Sequence, residues 1–266
     1  MSKRLTGQVA WITGGASGMG RATAQLFASE GASIAIVDIN EALGNEVAEE
    51  INASGGEAIF CRCNVSNETD VQSAIAATVD RFGGLQIIFN CAAKGIAKRL
   101  ENMTEAEWDE LMAVNVKSIF FSLKHGIQHL EKNQHSYVVN IGSISSFVAQ
   151  VDTPAYTTTK GAVLLLSQSI ALDYAHLGLR CNCLCPGLTD TPMSTGYYDR
   201  IVDGDKFLAQ RIRRIPINRM VAPEEVARSA LFFSCEDSAG ITGTSLTIDG
   251  GYLAAAEWDC NTVTQL

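Results

Sequence analysis

No stretch of this 266-residue chain approaches the ~18 consecutive apolar residues that a membrane-spanning helix needs, so no membrane partner is expected. Positive charge is short. Twenty Lys and Arg stand against 29 Asp and Glu, a formal net charge of −9, which argues against nucleic acid or an anionic membrane surface as partner. Histidine is scarce as well, with four residues; His125 and His129 share a predicted helix face but lack a third ligand. The eight cysteines contain no C-x-x-C knuckle, so no metal site is expected. Met1-Ser2-Lys3-Arg4-Leu5 begins like a signal peptide, yet the apolar run that follows is the short stretch 9–12, which ends in glycines; the chain reads as cytoplasmic. No internal repeat, low-complexity tract or linker interrupts it, and 1–266 reads as one nucleotide-binding and catalytic domain.

What the chain has is a steady alternation of short apolar strands and helical stretches. The pattern predicts strands over 8–13, 33–38, 58–63, 85–90, 136–142, 179–186 and 245–249. Helices are predicted over 20–30, 41–54, 68–82, 105–130, 154–176 and 223–234. Thr104 and Glu107 form a capping-box pair, and Pro223 stands where a first helical residue belongs. Repeated β-then-α order implies an α/β fold: a single-domain, Rossmann-type, doubly wound parallel sheet of about seven strands with helices on both faces. Cys61 and Cys63 alternate on one strand, and Cys181, Cys183 and Cys185 on another. Period-two spacing puts each set on one sheet face, where they serve as small apolar side chains rather than disulfides.

The first strand runs into Thr13-Gly14-Gly15-Ala16-Ser17-Gly18-Met19-Gly20 and then directly into a helix. Glycines let the backbone turn sharply and approach a pyrophosphate, while the new helix points free N–H groups at the anion. At the end of the second strand stands Asp38. Its carboxylate can accept hydrogen bonds from both ribose hydroxyls of NAD, and it repels the extra phosphate of NADP. Gly14, Ser17, Gly18, Met19, Gly20, Asp38 and Ile39 therefore make a candidate NAD site. Asn90 and Ala92, at the carboxyl end of the fourth strand, lie where ligands bind in such sheets.

Tyr156 and Lys160 lie four residues apart in a predicted helix, hence on one face and roughly 6 Å apart along the axis. An ammonium held there favours the phenolate form of the tyrosine, which can then take a proton from an alcohol or return one to a carbonyl. Ser143, thirteen positions before Tyr156 at the end of the fifth strand, is placed to hydrogen-bond a substrate oxygen. Asn115 sits inside an otherwise amphipathic helix, where its amide can break the local ladder and hold a water.

In these motifs and their order the chain resembles the short-chain dehydrogenases/reductases in their compact form, from Gln8 to Tyr252. Thr13-Gly14, Gly18 and Gly20 match the family's nucleotide turn, and Asn115, Ser143, Tyr156 and Lys160 match its catalytic tetrad. Pro186-Gly187, with Thr189 and Thr191, matches the segment that in the family grips the nicotinamide carboxamide. Ile241-Thr242-Gly243 and Asp249-Gly250-Gly251 match its closing strand. The resemblance implies Tyr156 as general acid/base and Lys160 as its electrostatic partner and ribose ligand. It implies Ser143 as the group that polarises the substrate oxygen, and Asn115 as the anchor of a relay water. It also implies metal-free hydride transfer and a homotetramer that pairs helices 105–130 and 154–176 and strand 245–249 across two-fold axes. Two departures stand out. Asn64-Val65 replaces the usual aspartate beside the adenine, though asparagine keeps an acceptor oxygen, and Cys91 and Ala93 replace a frequent asparagine and glycine.

The stretch 191–214 breaks the alternation: it is polar, helical in parts and long for a connection, as substrate lids are. Gly196 and Gly204 would act as its hinges, and Met193, Tyr197 and Tyr198 as amphipathic walls. With Ser145, Gln150 and Asp152 these side chains suggest a small polar substrate such as a polyol, sugar derivative or cyclic diol. Lys94, Lys98 and Arg99 form a basic cluster that reads as a solvated loop, with attraction of an anionic substrate as the sharper alternative. The expected function is that of an NAD-dependent alcohol dehydrogenase or ketone reductase. A carrier-bound 3-ketoacyl reductase is the rival enzyme, opposed by Asp38 and by the lack of a basic residue at Ala16 or Ser17. A non-catalytic nucleotide-binding redox sensor is the rival of another class, opposed by the complete tetrad.

Overall fold

The computed structural model describes residues 3–199 and 202–255. Seven strands, β1 (Val9–Thr13), β2 (Ser33–Asp38), β3 (Glu57–Arg62), β4 (Ile87–Asn90), β5 (Ser136–Ile141), β6 (Leu179–Pro186) and β7 (Ser245–Ile248), form one sheet in the order β3-β2-β1-β4-β5-β6-β7. Every pairing is parallel. The order reverses at β1, which pairs with β2 on one side and β4 on the other. Connections before and after that point leave toward opposite faces, and a crevice opens between them at the carboxyl ends of the strands.

The inner strands are buried on both faces, which is why β1, β2 and β4 read as continuous apolar runs rather than alternating ones, while the edge strands β3 and β7 are partly exposed. Trp11 faces one core layer, while its neighbours Ala10 and Ile12 face the other. Helices α1 (Gly18–Ser29), α2 (Glu41–Ala53) and α9 (Pro223–Phe233) cover the first face through residues such as Phe27, Val47 and Leu231. The second face is covered by α3 (Glu68–Phe82), α5 (Ser118–Leu130) and α6 (Pro154–Tyr174), through Ile75, Ile119 and Ile170. Full burial of side chains like Phe27, Phe89 or Ile75 contributes about 1.5–3 kcal/mol each. Cys61, Cys63, Cys181, Cys183 and Cys185 all point into the second layer as free thiols, on one sheet face as the spacing predicts.

Local signals set the helix ends. Asn40 and Asn67 cap α2 and α3 by accepting from the N–H groups of Leu43 and Asp70. Gly83, with φ of 80°, stops α3 in the left-handed conformation. Thr104 and Glu107 close the expected capping box at the start of α4 (Glu105–Met112). The expected helix 105–130 is not continuous: a π-helical turn, Ala113–Lys117, separates α4 from α5. Asn115 lies in that turn, so the predicted break of the ladder is real. The segment 191–214 holds two short helices, α7 (Pro192–Tyr198) and α8 (Gly204–Arg213); residues 200 and 201 lie outside the described ones. Among the described residues no helix is long and apolar enough to cross a membrane, and no group of His, Cys, Asp or Glu is placed to hold a metal ion.

Candidate active site

Two adjoining cavities occupy the carboxyl edge of the sheet. The first, of ≈ 350 Å³, lies over the crevice beside β1. Gly14, Ser17, Gly18, Met19, Asp38, Ile39, Asn64, Val65, Ala92 and Thr191, all predicted cofactor residues, line it. The glycines are there for space as well as conformation. A Cβ on Gly20 would stand 2.0 Å from the Gly14 carbonyl oxygen, and one on Gly14 would stand 3.0 Å from the Ala92 nitrogen. Gly18 takes φ of 49° and packs against Thr191, which caps α7. Thr13 ties the two strands together below, accepting the N–H groups of Cys91 and Ala92 at 3.0 and 3.1 Å. The Asp38 carboxylate is held by the N–H groups of Ala16 and Asn40 at 3.2 and 3.0 Å, which aims it at the cavity beside the glycine turn. Burial pushes the Cys91 thiol up to about 12, so it is an inert thiol beside the nucleotide site.

Several predicted residues sit differently from expectation. The side-chain oxygen of Asn64 already accepts from the N–H and hydroxyl of Ser66, at 3.1 and 2.8 Å. Its amide N–H groups, rather than an acceptor oxygen, are what this position offers. Gly20 is buried under the turn. Asn90 is also buried and donates to Asn140 at 2.8 Å, in a chain of amides that ends on Ser167. It braces β4 against β5 rather than lining either cavity. Thr189 is buried as well, with its hydroxyl on the Gly187 carbonyl oxygen and its backbone bridged to Val221.

The second cavity, of ≈ 490 Å³, is lined by Ser143, Gln150, Tyr156, Gly187, Met193 and Tyr197 among others. Met193 lines both cavities and marks where they join. Tyr156 lies in the first turn of α6, which begins at Pro154. Lys160, one turn further on, is buried, and its ammonium lies 5.6 Å from the Tyr156 ring centroid. That ammonium donates to the Ile141 carbonyl oxygen at 2.8 Å, which leaves two of its N–H groups for a ligand. Ser143 follows β5; its oxygen accepts from the Ser145 N–H at 3.1 Å, which orients the hydroxyl without consuming its proton. Phenol and hydroxyl thus share one cavity wall, with the ammonium buried beside the phenol ring, the set needed to move a proton to or from a bound oxygen.

Asn115 makes three of its four possible side-chain hydrogen bonds to protein. It accepts the Lys94 N–H at 2.7 Å, and donates to the Lys94 carbonyl oxygen at 2.9 Å and the Thr159 hydroxyl at 3.0 Å. The amide therefore ties the chain after β4 to the base of α6. Ser145 is buried away from the cavity wall; it positions Gln150, whose amide donates to it at 2.8 Å. Gly204 is packed so that a Cβ would stand 2.1 Å from the Tyr198 carbonyl oxygen, so its glycine serves close approach. Lys94, Lys98 and Arg99 pair with Glu110, Glu107 and Glu101. The Lys98 ammonium holds the Glu107 carboxyl down to about 2. The basic cluster is neutralised where it stands. The side chains that sequence reasoning missed are on α8 and just beyond it, where Phe207, Gln210, Arg211 and Arg214 all line the second cavity. Their i, i+3, i+4, i+7 spacing was visible as one helix stripe.

A family model described as enoyl-(acyl carrier protein) reductase matches residues 14–253. The chain is 36% identical over 252 residues to the 2,5-dichloro-2,5-cyclohexadiene-1,4-diol dehydrogenase of Sphingobium indicum, covering 95% of this chain and 98% of that protein. It is 36% identical over 251 residues to the 2-(R)-hydroxypropyl-CoM dehydrogenase of Xanthobacter autotrophicus, covering 93% and 99%. Among solved structures, levodione reductase superposes with a TM-score of 0.91 at 29% identity, over 95% of this chain and all of that one, 100%.

Proposed function

We propose that this chain, which belongs to the short-chain dehydrogenase/reductase family and acts on alcohol groups, is an NAD-dependent dehydrogenase of small polar secondary alcohols or the corresponding ketone reductase. The observation that carries this reading is that Tyr156, backed by the buried Lys160 ammonium, and Ser143 share the wall of a cavity adjoining a glycine-and-aspartate nucleotide cradle. Relatives named for a cyclic diol and a small hydroxyalkyl compound support the substrate size.

A Cβ at Gly14, Gly18 or Gly20 would press on the turn's own backbone or on Ala92 and Thr191, so glycine there allows the tight turn whose Gly14 and Gly18 line the first cavity. That turn fits a pyrophosphate, and Asp38 fits an unphosphorylated ribose. Gly187 and Thr191, which line the two cavities between β6 and α7, would hold the carboxamide end, with Pro186 and the buried Thr189 fixing their backbone path. A nicotinamide held there would supply the hydride acceptor or donor for the carbinol carbon. Tyr156 holds the alcohol proton at its phenol oxygen, Ser143 donates to the substrate oxygen, and Lys160 stabilises the phenolate. The Asn115 amide, with three of its four hydrogen-bonding positions filled by protein, keeps one acceptor position for a relay water. Asp38 weighs against the carrier-bound 3-ketoacyl reductase reading, which favours NADPH. The reading is tested by NADH absorbance across a panel of small secondary alcohols; no reduction of NAD by any of them overturns it.

The 191–214 segment acts as a lid. α7 starts on the nucleotide cavity at Thr191 and ends on the substrate cavity at Tyr198. Tyr197→Ala should raise KM for the alcohol several-fold with NAD affinity nearly unchanged, whereas Met193, on both cavities, should affect both. Proteolysis within the segment should slow when NAD and substrate are present together. Equal cleavage with and without them, with unchanged kinetics, removes the lid.

The enzyme works as a cytoplasmic homotetramer. Phe120 on α5 and Leu165 and Leu172 on α6 are exposed, the last at 81%, which is costly on a monomer and ordinary at a helix-pairing interface. Light scattering at micromolar concentration should give four times the chain mass; a monomer contradicts it.

A further inference from the structure

The substrate cavity carries charge of the sign opposite to the protein's. The chain has a formal net charge of −9, yet no Asp or Glu stands on the wall of this cavity among the described residues, while Arg211 and Arg214 both do. Their arrangement is built. Arg211, half-buried, donates to the Tyr198 hydroxyl at 2.7 Å, and the Arg214 guanidinium lies 5.1 Å from the Tyr252 ring centroid at the rim. Both anchors are neutral. No carboxylate pairs with either arginine among the described residues, whereas Arg4, Arg21, Arg99 and Arg219 each hold a glutamate. A guanidinium has five N–H donors in a fixed fork, and Arg211 spends one of them on Tyr198. Two such groups three residues apart on one helix stripe face the same space as Tyr156.

We infer that the substrate carries an anionic group, a carboxylate, sulfonate or phosphate ester, held by Arg211 and Arg214 while its carbinol carbon lies at Tyr156. This rests on the dehydrogenase reading above and adds the substrate class. Forked, charge-assisted hydrogen bonds to such oxyanions are stronger than neutral ones and fix orientation, so they select the anionic alcohol over a neutral one of equal size. The unpaired charge also draws an anion into a cleft that the rest of an acidic surface would repel. Lys94, Lys98 and Arg99 cannot supply this, because their glutamates cancel them in place.

The test compares 3-hydroxybutanoate, 2-hydroxypropane-1-sulfonate and 2-hydroxypropyl phosphate with 2-pentanol, using the intact enzyme and NAD. At least one anion should exceed 2-pentanol about tenfold or more in kcat/KM, and its KM should rise with added salt. In the double variant Arg211→Gln/Arg214→Gln the ratio of anionic to neutral kcat/KM should fall about 10- to 100-fold. Calorimetry of the NAD-loaded enzyme with the unreactive butanoate and propane-1-sulfonate should show binding that the double variant loses. A wild type that prefers 2-pentanol or shows no salt dependence, or a double variant with an unchanged ratio, overturns the inference. Binding of these anions without turnover of any alcohol leaves the anion site standing and removes the dehydrogenase reading instead.

Discussion

Replacing Tyr156 by phenylalanine should lower turnover about 100- to 10,000-fold while leaving NAD binding close to that of the wild type. The substitution deletes one oxygen. The ring remains in the first turn of α6, and its half-buried surface keeps the same neighbours. Lys160 also stays in place, because its ammonium is fixed by the Ile141 carbonyl oxygen and its own carbonyl oxygen accepts from Ser146 at 2.7 Å. What is lost is the atom that exchanges a proton with the substrate oxygen. The effect should therefore fall on kcat and kcat/KM together, the signature of an interaction made in the transition state. NAD binding followed by fluorescence, beside turnover at saturating NAD, separates the two. Activity within tenfold of wild type in Tyr156→Phe sinks the assigned proton donor.

Cofactor choice is the other large effect. Wild-type kcat/KM should favour NAD over NADP by at least about 100-fold. The Asp38 carboxylate is pinned by two backbone N–H groups and cannot swing clear of an incoming 2′-phosphate. Two like unit charges about 4 Å apart near a protein surface repel by about 4 kcal/mol, enough for a ratio near 1,000 before screening. Neither Ala16 nor Ser17 supplies a cation to offset that repulsion. The combined change Asp38→Ala with Ile39→Arg should narrow the preference at least tenfold, because Ile39 is 61% exposed and lines the same cavity. A wild-type enzyme that works better with NADP contradicts the electrostatic argument.

Much of this molecule was legible in the chain because its causes are local. Strands buried on both faces are apolar nearly throughout, so β1, β2 and β4 announced themselves as short apolar runs. A turn that must bring backbone against backbone admits only glycine, so Gly14 and Gly20 read correctly as parts of a close approach. Helical period alone places Lys160 under Tyr156. Even the interruption at Asn115 was foreseeable, since an asparagine amid apolar residues competes with the ladder.

The tertiary structure decided which side chains face the cavities, because that depends on packing between residues far apart in sequence. Ser145 and Asn90 looked like site residues and turned inward; Asn90 is claimed by Asn140, which only the assembled fold brings near, and Ser145 by Gln150 within its own loop. Asn64 spends its acceptor oxygen on Ser66, so the donor side of its amide is what remains. The conspicuous cations Lys94 and Lys98 are cancelled by Glu110 and Glu107 on α4, while two less conspicuous ones, Arg211 and Arg214, line the cavity opposite a tyrosine more than fifty positions earlier in the chain. Periodicity tells which residues share a face of a helix, but only the way that helix packs tells what the face looks at. Fold and chemistry were therefore written in local patterns, and the lining of the second cavity in the docking of α8.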